Sequence, residues 1–515
     1  MFKKQFLGPR TWKIVGAIAA SHILAFFIRE SPVEGVVLLL AFVGVFILSQ
    51  RSLLTGLAIA FIEIFVGGHG HLLDVDLLGF SVSLRMVLFG AVMSAWLWNW
   101  WRGEIKLHRD VWRELPFVIL LIALVGGFIQ GVFANGAGAA FDDVNAYMTL
   151  AYLLPVMSIE WTSKSKRVLL QAFAGSAIWI IGFSLLLLYV FTHVDGDTLN
   201  VLYTFVRDSR LAEVTLQVDY DTFFYRVFMP AQSTAVMVLL LSWGAMLFSY
   251  RSERLPDLVG WAAIGSLAVL FMSMSRSFLL GAFAAMCVMW VVALLRERRR
   301  WVTLKRSIWM SVCAAVALVA VYALVTVPIP TRPDLTDASF YETSSQTGRG
   351  EAVVSRWALL DPLMQSISQS PLVGQGFGAT ITYESSDPRI IDETGGEYTT
   401  YRFEWGWHDI WLKMGLLGII AFAVYFAILV LSARYHASKH SQSWLVIGLA
   451  SSVFALFVAH TFSPYLNHPI GVMWMLFVLP FLDTRGWGKV IEGRLRGSRI
   501  LDRQIKAVVT SDLAK

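Results

Sequence analysis

Charge is what this sequence has least of. Asp, Glu, Lys and Arg make up 15% of its 515 residues, against 57% hydrophobic residues. Soluble domains carry about a quarter charged residues. A chain this poor in charge cannot cover its surface with polar side chains, and its mean hydropathy of +0.63 points to lipid as its solvent. That excludes a soluble enzyme with one anchor, a disordered chain and a secreted disulfide scaffold. Cysteine is scarce as well. Only Cys287 and Cys313 occur, both inside apolar stretches, which excludes a disulfide framework or a cysteine zinc cluster. No internal repeat and no low-complexity tract stands out. The net charge of +6 does not point to nucleic acid, because in a membrane chain the position of the charges outweighs their sum.

What the chain does have is long apolar runs. A helix needs about 20 apolar residues to cross a bilayer. Windows of that kind fall at 12–28, 33–49, 53–67, 84–98, 117–133, 146–160, 168–191, 229–248, 258–274, 277–295, 308–327, 409–432, 444–460 and 467–482. They predict an all-α, polytopic integral membrane protein with twelve to fourteen transmembrane helices. The first window is not a cleavable signal peptide, since a second apolar run follows at once without a small-residue cleavage site. Lys and Arg fix the orientation. With the N-terminus in the cytoplasm, the inside segments carry Lys3, Lys4, Arg10 and Lys13, then Arg102, Lys106, Arg109 and Arg113, then Lys164, Lys166 and Arg167. The run from Arg296 to Arg306 and the tail are inside as well, so both termini are cytoplasmic.

Two outside segments are too long for connectors, 192–228 and 328–407, and loops of that length usually carry function. The chain thus divides into a first bundle part (1–327), a large external loop (328–407), a last bundle part (408–483) and a basic tail (484–515). The tail spaces Val490, Leu495, Ile500 and Ile505 among arginines, which suits an amphipathic helix on the inner leaflet or a frayed basic end equally. In the large loop, Val353, Trp357, Leu360, Met364 and Ile367 recur at helical spacing, predicting a helix lying on the membrane surface. The glycines 374, 376 and 378 that follow permit a tight backbone. They are no nucleotide fingerprint, since no strand precedes them and no GK[ST] follows.

Arginines at membrane depth are costly, and are functional candidates for that reason. Arg276 lies in SMSRSFLLG between two spans with almost no loop. Arg85 and Arg226 have similar placements, and Arg349 and Arg356 stand two helical turns apart on the surface helix. Each has a blander alternative, a structural ion pair or a headgroup-snorkelling side chain. His69 and His71 with Asp74 and Asp76 form only a weak metal signal on a glycine-rich loop, so no metal and no cofactor is expected. His408 opens the twelfth span beside Glu404 and Asp409, where an ionisable group can serve as a base. An interfacial histidine in an aromatic belt is the alternative.

The order of these motifs resembles a known family. A serine–arginine hairpin (SMSRSFLLG), a large loop with GRGEAVVSRWALL and SPLVGQGFG, and a histidine before a GLLG helix look like the O-antigen ligase and O-antigen polymerase superfamily of bacterial membrane glycosyltransferases. The resemblance is strongest over about 226–432. It implies an inner-membrane enzyme acting without metal on the periplasmic face, moving a glycan from undecaprenyl diphosphate to an acceptor hydroxyl by inversion. The acceptor is the next glycan repeat or a lipid A core, and a polymerase would work beside a chain-length regulator. Carried onto this chain, the resemblance makes Arg276, Arg356 and Arg349 diphosphate-binding, with Arg226 and Arg85 as further candidates. The family histidine stands about eleven residues before the first glycine of GLLG. Here His408 stands seven before Gly415, and Glu404 holds the eleventh place, so either is a candidate base. The shifted histidine and the Trp/Tyr-rich loop favour surface-polysaccharide or exopolysaccharide polymerisation over ligation. A lipid-linked oligosaccharide flippase is the competing reading, but it has no need of the large loop.

Overall fold

The computed structural model describes residues 5–482 except 78, 195, 220–221, 249–256, 297–299, 330–342, 345–353 and 440–442. The protein is mostly helical, and its helices follow the apolar runs. Among the described residues nine are long and apolar enough to cross a membrane. In chain order they include α1 (Pro9–Ile28), α2 (Val33–Arg51), α5 (Val111–Asn135) and α8 (Ser163–His193), with the shorter α3 (Leu53–Val66) and α4 (Leu84–Trp101) between them. Then come α10 (Ser233–Phe248), the shorter α11 (Asp257–Ser273), α12 (Arg276–Arg296) and α13 (Arg300–Thr326). The bundle is completed by α16 (Gly406–Lys439), α17 (Ser443–His460) and a short apolar α18 (Pro469–Val478). This is a multi-pass membrane architecture.

Position in the bundle follows from which faces are covered. α10 and α17 are buried almost all round and form its centre, packing on each other and on α12. α1, α2 and α13 instead turn rows of large apolar side chains outward, Phe27, Leu39, Leu40, Leu318 and Val319 among them. In water such patches would be aggregation sites; in lipid they are the surface the solvent wants.

The window 146–160 departs from expectation. It is not one helix but part of a broken stretch made of α6 (Ala137–Val144), a 3-10 segment (Asn145–Tyr152) and α7 (Leu153–Ser158). Irregular backbone at such depth is tolerated only where protein or a cavity covers it. Both apply here, because Asn145, Tyr147 and Thr149 line a cavity. A hydropathy window registers such a segment only as apolar.

One end of the bundle carries the ordered additions. β1 (Asp74–Leu77) and β2 (Phe80–Ser83) form a hairpin after α3. The 192–228 segment folds into α9 (Gly196–Asp208) and a hairpin of β3 (Glu213–Asp219) and β4 (Thr222–Phe228). β5 (Thr343–Ser344), from the large loop, pairs parallel with β3, so the two long segments meet in one sheet. The large loop then forms α14 (Leu360–Gln369), β6 (Ile381–Glu384), α15 (Pro388–Thr394) and β7 (Glu397–Thr400), the two strands pairing antiparallel. It has its own small core, in which Leu359, Leu363 and Ile367 pack on Ile381, Phe403, Trp405 and Leu412. Of the expected stripe, Ile367 turns into this core, while Trp357 and Met364 stay exposed. The segment has apolar residues on two adjoining faces, and periodicity alone does not say which meets protein. Val353 and the tail 484–515 lie outside the described residues.

The three glycines work as close-packing positions. α16 is broken at Gly415, whose φ of 63° is open to glycine. Into the break the 370–378 segment inserts its backbone: Gln375 N donates to Leu412 O at 2.6 Å and Leu416 N to Leu372 O at 3.2 Å. On the other side Phe377 N donates to Gly127 O of α5 at 3.0 Å. A Cβ on Gly376 (φ +84°) would fall 2.7 Å from Gly131 Cα of α5. Gly376→Ala is thus expected to destabilise the protein by roughly 2–3 kcal/mol. Gly395→Ala, with a similar φ of +73° but open space around it, should cost markedly less. Thermal unfolding of the two detergent-purified variants checks this; equal losses would mean that only the dihedral matters.

Candidate active site

At the end that carries the loops, a cavity of about 1080 Å³ opens between the broken 137–152 segment, the start of α4, α9 and β3, the Tyr401–Phe403 turn, the first turns of α16 and the 464–469 connection. Its floor is a buried ionic network. Lys413 donates to Asp143 at 2.7 Å and to the Tyr401 carbonyl at 2.9 Å, and it forms an ion pair with Asp409, one helical turn earlier, at 2.6 Å. Asp143 also accepts from Gly378 N at 2.8 Å, and Asp409 from the Asn467 amide, whose oxygen accepts from the Tyr147 hydroxyl at 2.9 Å. Removing one member of such a buried set leaves an uncompensated charge, which costs about 3–5 kcal/mol. The network thereby fixes three distant segments to one another.

The facing wall is cationic and aromatic. Arg85 pairs with Glu63 through Nε at 2.9 Å and Nη2 at 3.0 Å, and also donates to Gly68 O at 2.8 Å. His69 turns its exposed surface into the cavity and stands edge-on to His468, ring centres 5.2 Å apart. Burial, then the charges of Arg85, Arg210, His71 and Arg402, press the pKa of His69 down to about 4. Burial, then the charges of Arg85 and His69, hold the pKa of His468 well below the usual histidine value. Both rings are neutral at pH 7. His468 Nδ1 accepts from Ile470 N at 3.3 Å as it caps α18, so its proton sits on Nε2.

The residues singled out from the sequence fall into three places. Arg276 begins α12 with its side chain exposed. The turn before it holds Met274 at φ +48°, a strained position for a residue with a side chain. Arg226 joins this turn: its Nε donates to Ser273 O at 2.9 Å and its guanidinium lies 4.9 Å over the Phe228 ring. The second place is a cluster on the loop core. Arg356 forms an ion pair with Glu404, and its carbonyl accepts from Trp405 Nε1 at 2.8 Å. His408 stands edge-on to Trp405 at 5.9 Å, with Nδ1 buried and no hydrogen-bond partner among the described residues. The third place is the cavity, where Arg85 lies alone of the expected set. Arg349 lies outside the described residues.

The places are joined by the 461–468 turn between α17 and α18. Ser463 meets Ser277, next to Arg276, at 3.2 Å, while Asn467 holds Asp409, next to His408. Of the weak metal set, His71 Nδ1 and Asp74 are 3.1 Å apart, and Arg29 engages the same carboxylate at 3.3 Å. His69 faces away, toward His468. Asp143, Arg210, Arg402, Lys413 and His468 were not singled out from the sequence. Lys413 carried a usable signal, an ammonium inside an otherwise apolar helix. Arg210 and Arg402 carried none, because each reads as an ordinary loop cation until the fold closes the cavity.

Two comparisons bear on identity. No curated protein matches the chain. Residues 261–423 match a family model, described as O-antigen ligase, which spans α11 to the middle of α16 and contains Arg276, Arg349, Arg356, Glu404 and His408.

Proposed function

We propose, from the premise that this multi-pass membrane chain carries an O-antigen ligase domain at residues 261–423, that it transfers a glycan from undecaprenyl diphosphate to a sugar hydroxyl on the periplasmic face of the bacterial inner membrane. The observation that carries the reading is the coincidence of the matched segment with the expected cations and bases, Arg276, Arg356, Glu404 and His408. In the reaction the acceptor oxygen attacks the anomeric carbon. The C–O bond to the diphosphate breaks, its electron pair leaves with undecaprenyl diphosphate, and the hydroxyl proton passes to His408 or to Glu404. A single displacement inverts the anomeric centre. Guanidiniums at Arg276, Arg226, Arg349 and Arg356 neutralise the charge growing on the leaving group, a task they perform with fixed bidentate donors and without a metal.

The product is a polymer of surface-polysaccharide or exopolysaccharide repeats, a preference supported by the register of His408 and the aromatic loop. Ligation to a lipid A core is the second reading, favoured by the description of the matched family. The chain spans the membrane up to fourteen times with both termini in the cytoplasm, a topology supported by the basic inside segments.

The test is reconstitution. Purified protein in proteoliposomes, given undecaprenyl-diphosphate-linked repeats, should release undecaprenyl diphosphate and build a ladder of products, undiminished by EDTA. Reporter fusions after Ser345 and at Lys515 should read outside and inside. Absence of product from correctly inserted protein, or the opposite reporter pattern, would overturn the reading.

A further inference from the structure

The inner wall of the cavity holds two arginines that the proposed chemistry does not use. Arg210 and Arg402 come from segments far apart in sequence, and the charges of both bear on His69. The other cations there are already neutralised: Arg85 by Glu63, Lys413 by Asp143 and Asp409, and Arg207 by Asp208 at 2.7 Å. Among the described residues neither Arg210 nor Arg402 has a carboxylate partner. Both are exposed, and both line the cavity.

The fold goes to some length to hold them. Arg210 follows α9 at φ +51°, a left-handed position that is unfavourable for a residue with a side chain. It is kept there by Arg29, whose guanidinium donates to Asp208 O and to His71 O, both at 2.9 Å, clamping the 208–211 turn to the His69 loop. Arg402 is set by the floor network. Lys413 fixes the Tyr401 carbonyl, Thr400 Oγ1 accepts from Arg402 N at 3.0 Å, and the guanidinium lies 5.1 Å over the Tyr401 ring. Arg402 Nε also donates to the Tyr401 hydroxyl at 3.1 Å, and two guanidiniums positioned in this way without a carboxylate can take an anion.

The surroundings say which kind of anion. His468 offers an Nε2–H, a neutral donor suited to a hydroxyl, and Tyr147, Tyr203 and Phe403 are among the lining residues. Aromatic faces with a few convergent polar groups suit a pyranose ring, apolar on its face and polar at its edge. We propose that Arg210 and Arg402 bind an oxyanion carried by a sugar of the glycan, a carboxylate or a phosphate substituent, so that the chain handles acidic repeats. This rests on the glycan-transfer reading. It assigns the cavity to the sugar's own charge, and leaves the lipid diphosphate to Arg276, Arg226, Arg349 and Arg356.

Calorimetric binding to the purified chain in nanodiscs separates the possibilities. The probes are oligosaccharides of glucuronate and galacturonate, glucose 6-phosphate, an uncharged glucose oligosaccharide and inorganic pyrophosphate. At least one acidic sugar should bind where the uncharged one does not. Arg210→Gln and Arg402→Gln should each weaken it about 10- to 100-fold, the worth of one charged hydrogen bond, with thermal unfolding unchanged. Arg102→Gln, which loses a pair with Glu104 away from the cavity, should leave it as it is. Uronate binding identifies a carboxylate and sugar-phosphate binding a phosphate, and either supports the site. Binding of pyrophosphate alone, binding of no acidic sugar, or binding indifferent to both arginines overturns it. Because binding is read without turnover, a failed transfer assay would sink the function while leaving this site, and the reverse result would do the opposite.

Discussion

Arg276→Ala is expected to lower glycan transfer by about two to three orders of magnitude, the scale of losing one preorganised donor to a developing anion. The turn explains why so much rests on one side chain. Arg226 is already committed, anchored to Ser273 O and stacked on Phe228. Arg276 is the exposed cation at the same turn, and among the described residues it has no ion-pair partner. It also stands at the first position of α12, where the helix dipole adds to its attraction for an anion. Arg276→Lys should not restore the rate, because an ammonium offers a point charge in place of a planar fork. Initial rates in proteoliposomes, at matched protein levels, check both variants. Turnover within threefold of the parent in Arg276→Ala would make this arginine a headgroup anchor.

Much of the scaffold was legible because lipid imposes a simple condition, that runs of about 20 apolar residues become helices. Where the reading went astray, the condition had changed. The 146–160 window looked like a span because Leu150, Leu153 and Val156 are apolar, yet Asn145, Tyr147 and Thr149 turn to the cavity and the helix breaks. The surface helix had two apolar faces, and only the fold shows Leu359 and Leu363 turned inward while Trp357 and Met364 stay exposed. Arg276 stood out from the sequence because an arginine between two spans is anomalous by itself. Arg210, Arg402 and Asp143 are anomalous only in three dimensions, once distant segments have converged on one cavity.

The proton acceptor is the sharpest remaining division. His408→Ala is expected to reduce transfer by about 10² to 10⁴, the usual worth of general-base help, while leaving donor binding in place, since the proposed diphosphate site is made of arginines. Glu404→Gln should be the milder change. Its carboxylate forms an ion pair with Arg356, and a paired carboxylate must give up that partner before it can take a proton. His408 faces no such competition: its Nδ1 is buried without a partner among the described residues, and its ring is set by Trp405. It also opens α16 one residue before Asp409, which is tied to the cavity floor through Lys413 and Asn467, so backbone and base move together. Rates for the two variants, each with donor affinity measured separately, decide the matter. A large loss in Glu404→Gln with near-normal turnover in His408→Ala would transfer the role to the carboxylate and make its pairing with Arg356 a resting-state latch. Retained activity in both would remove the general base altogether, leaving departure of the diphosphate, and so the arginines, to account for the rate.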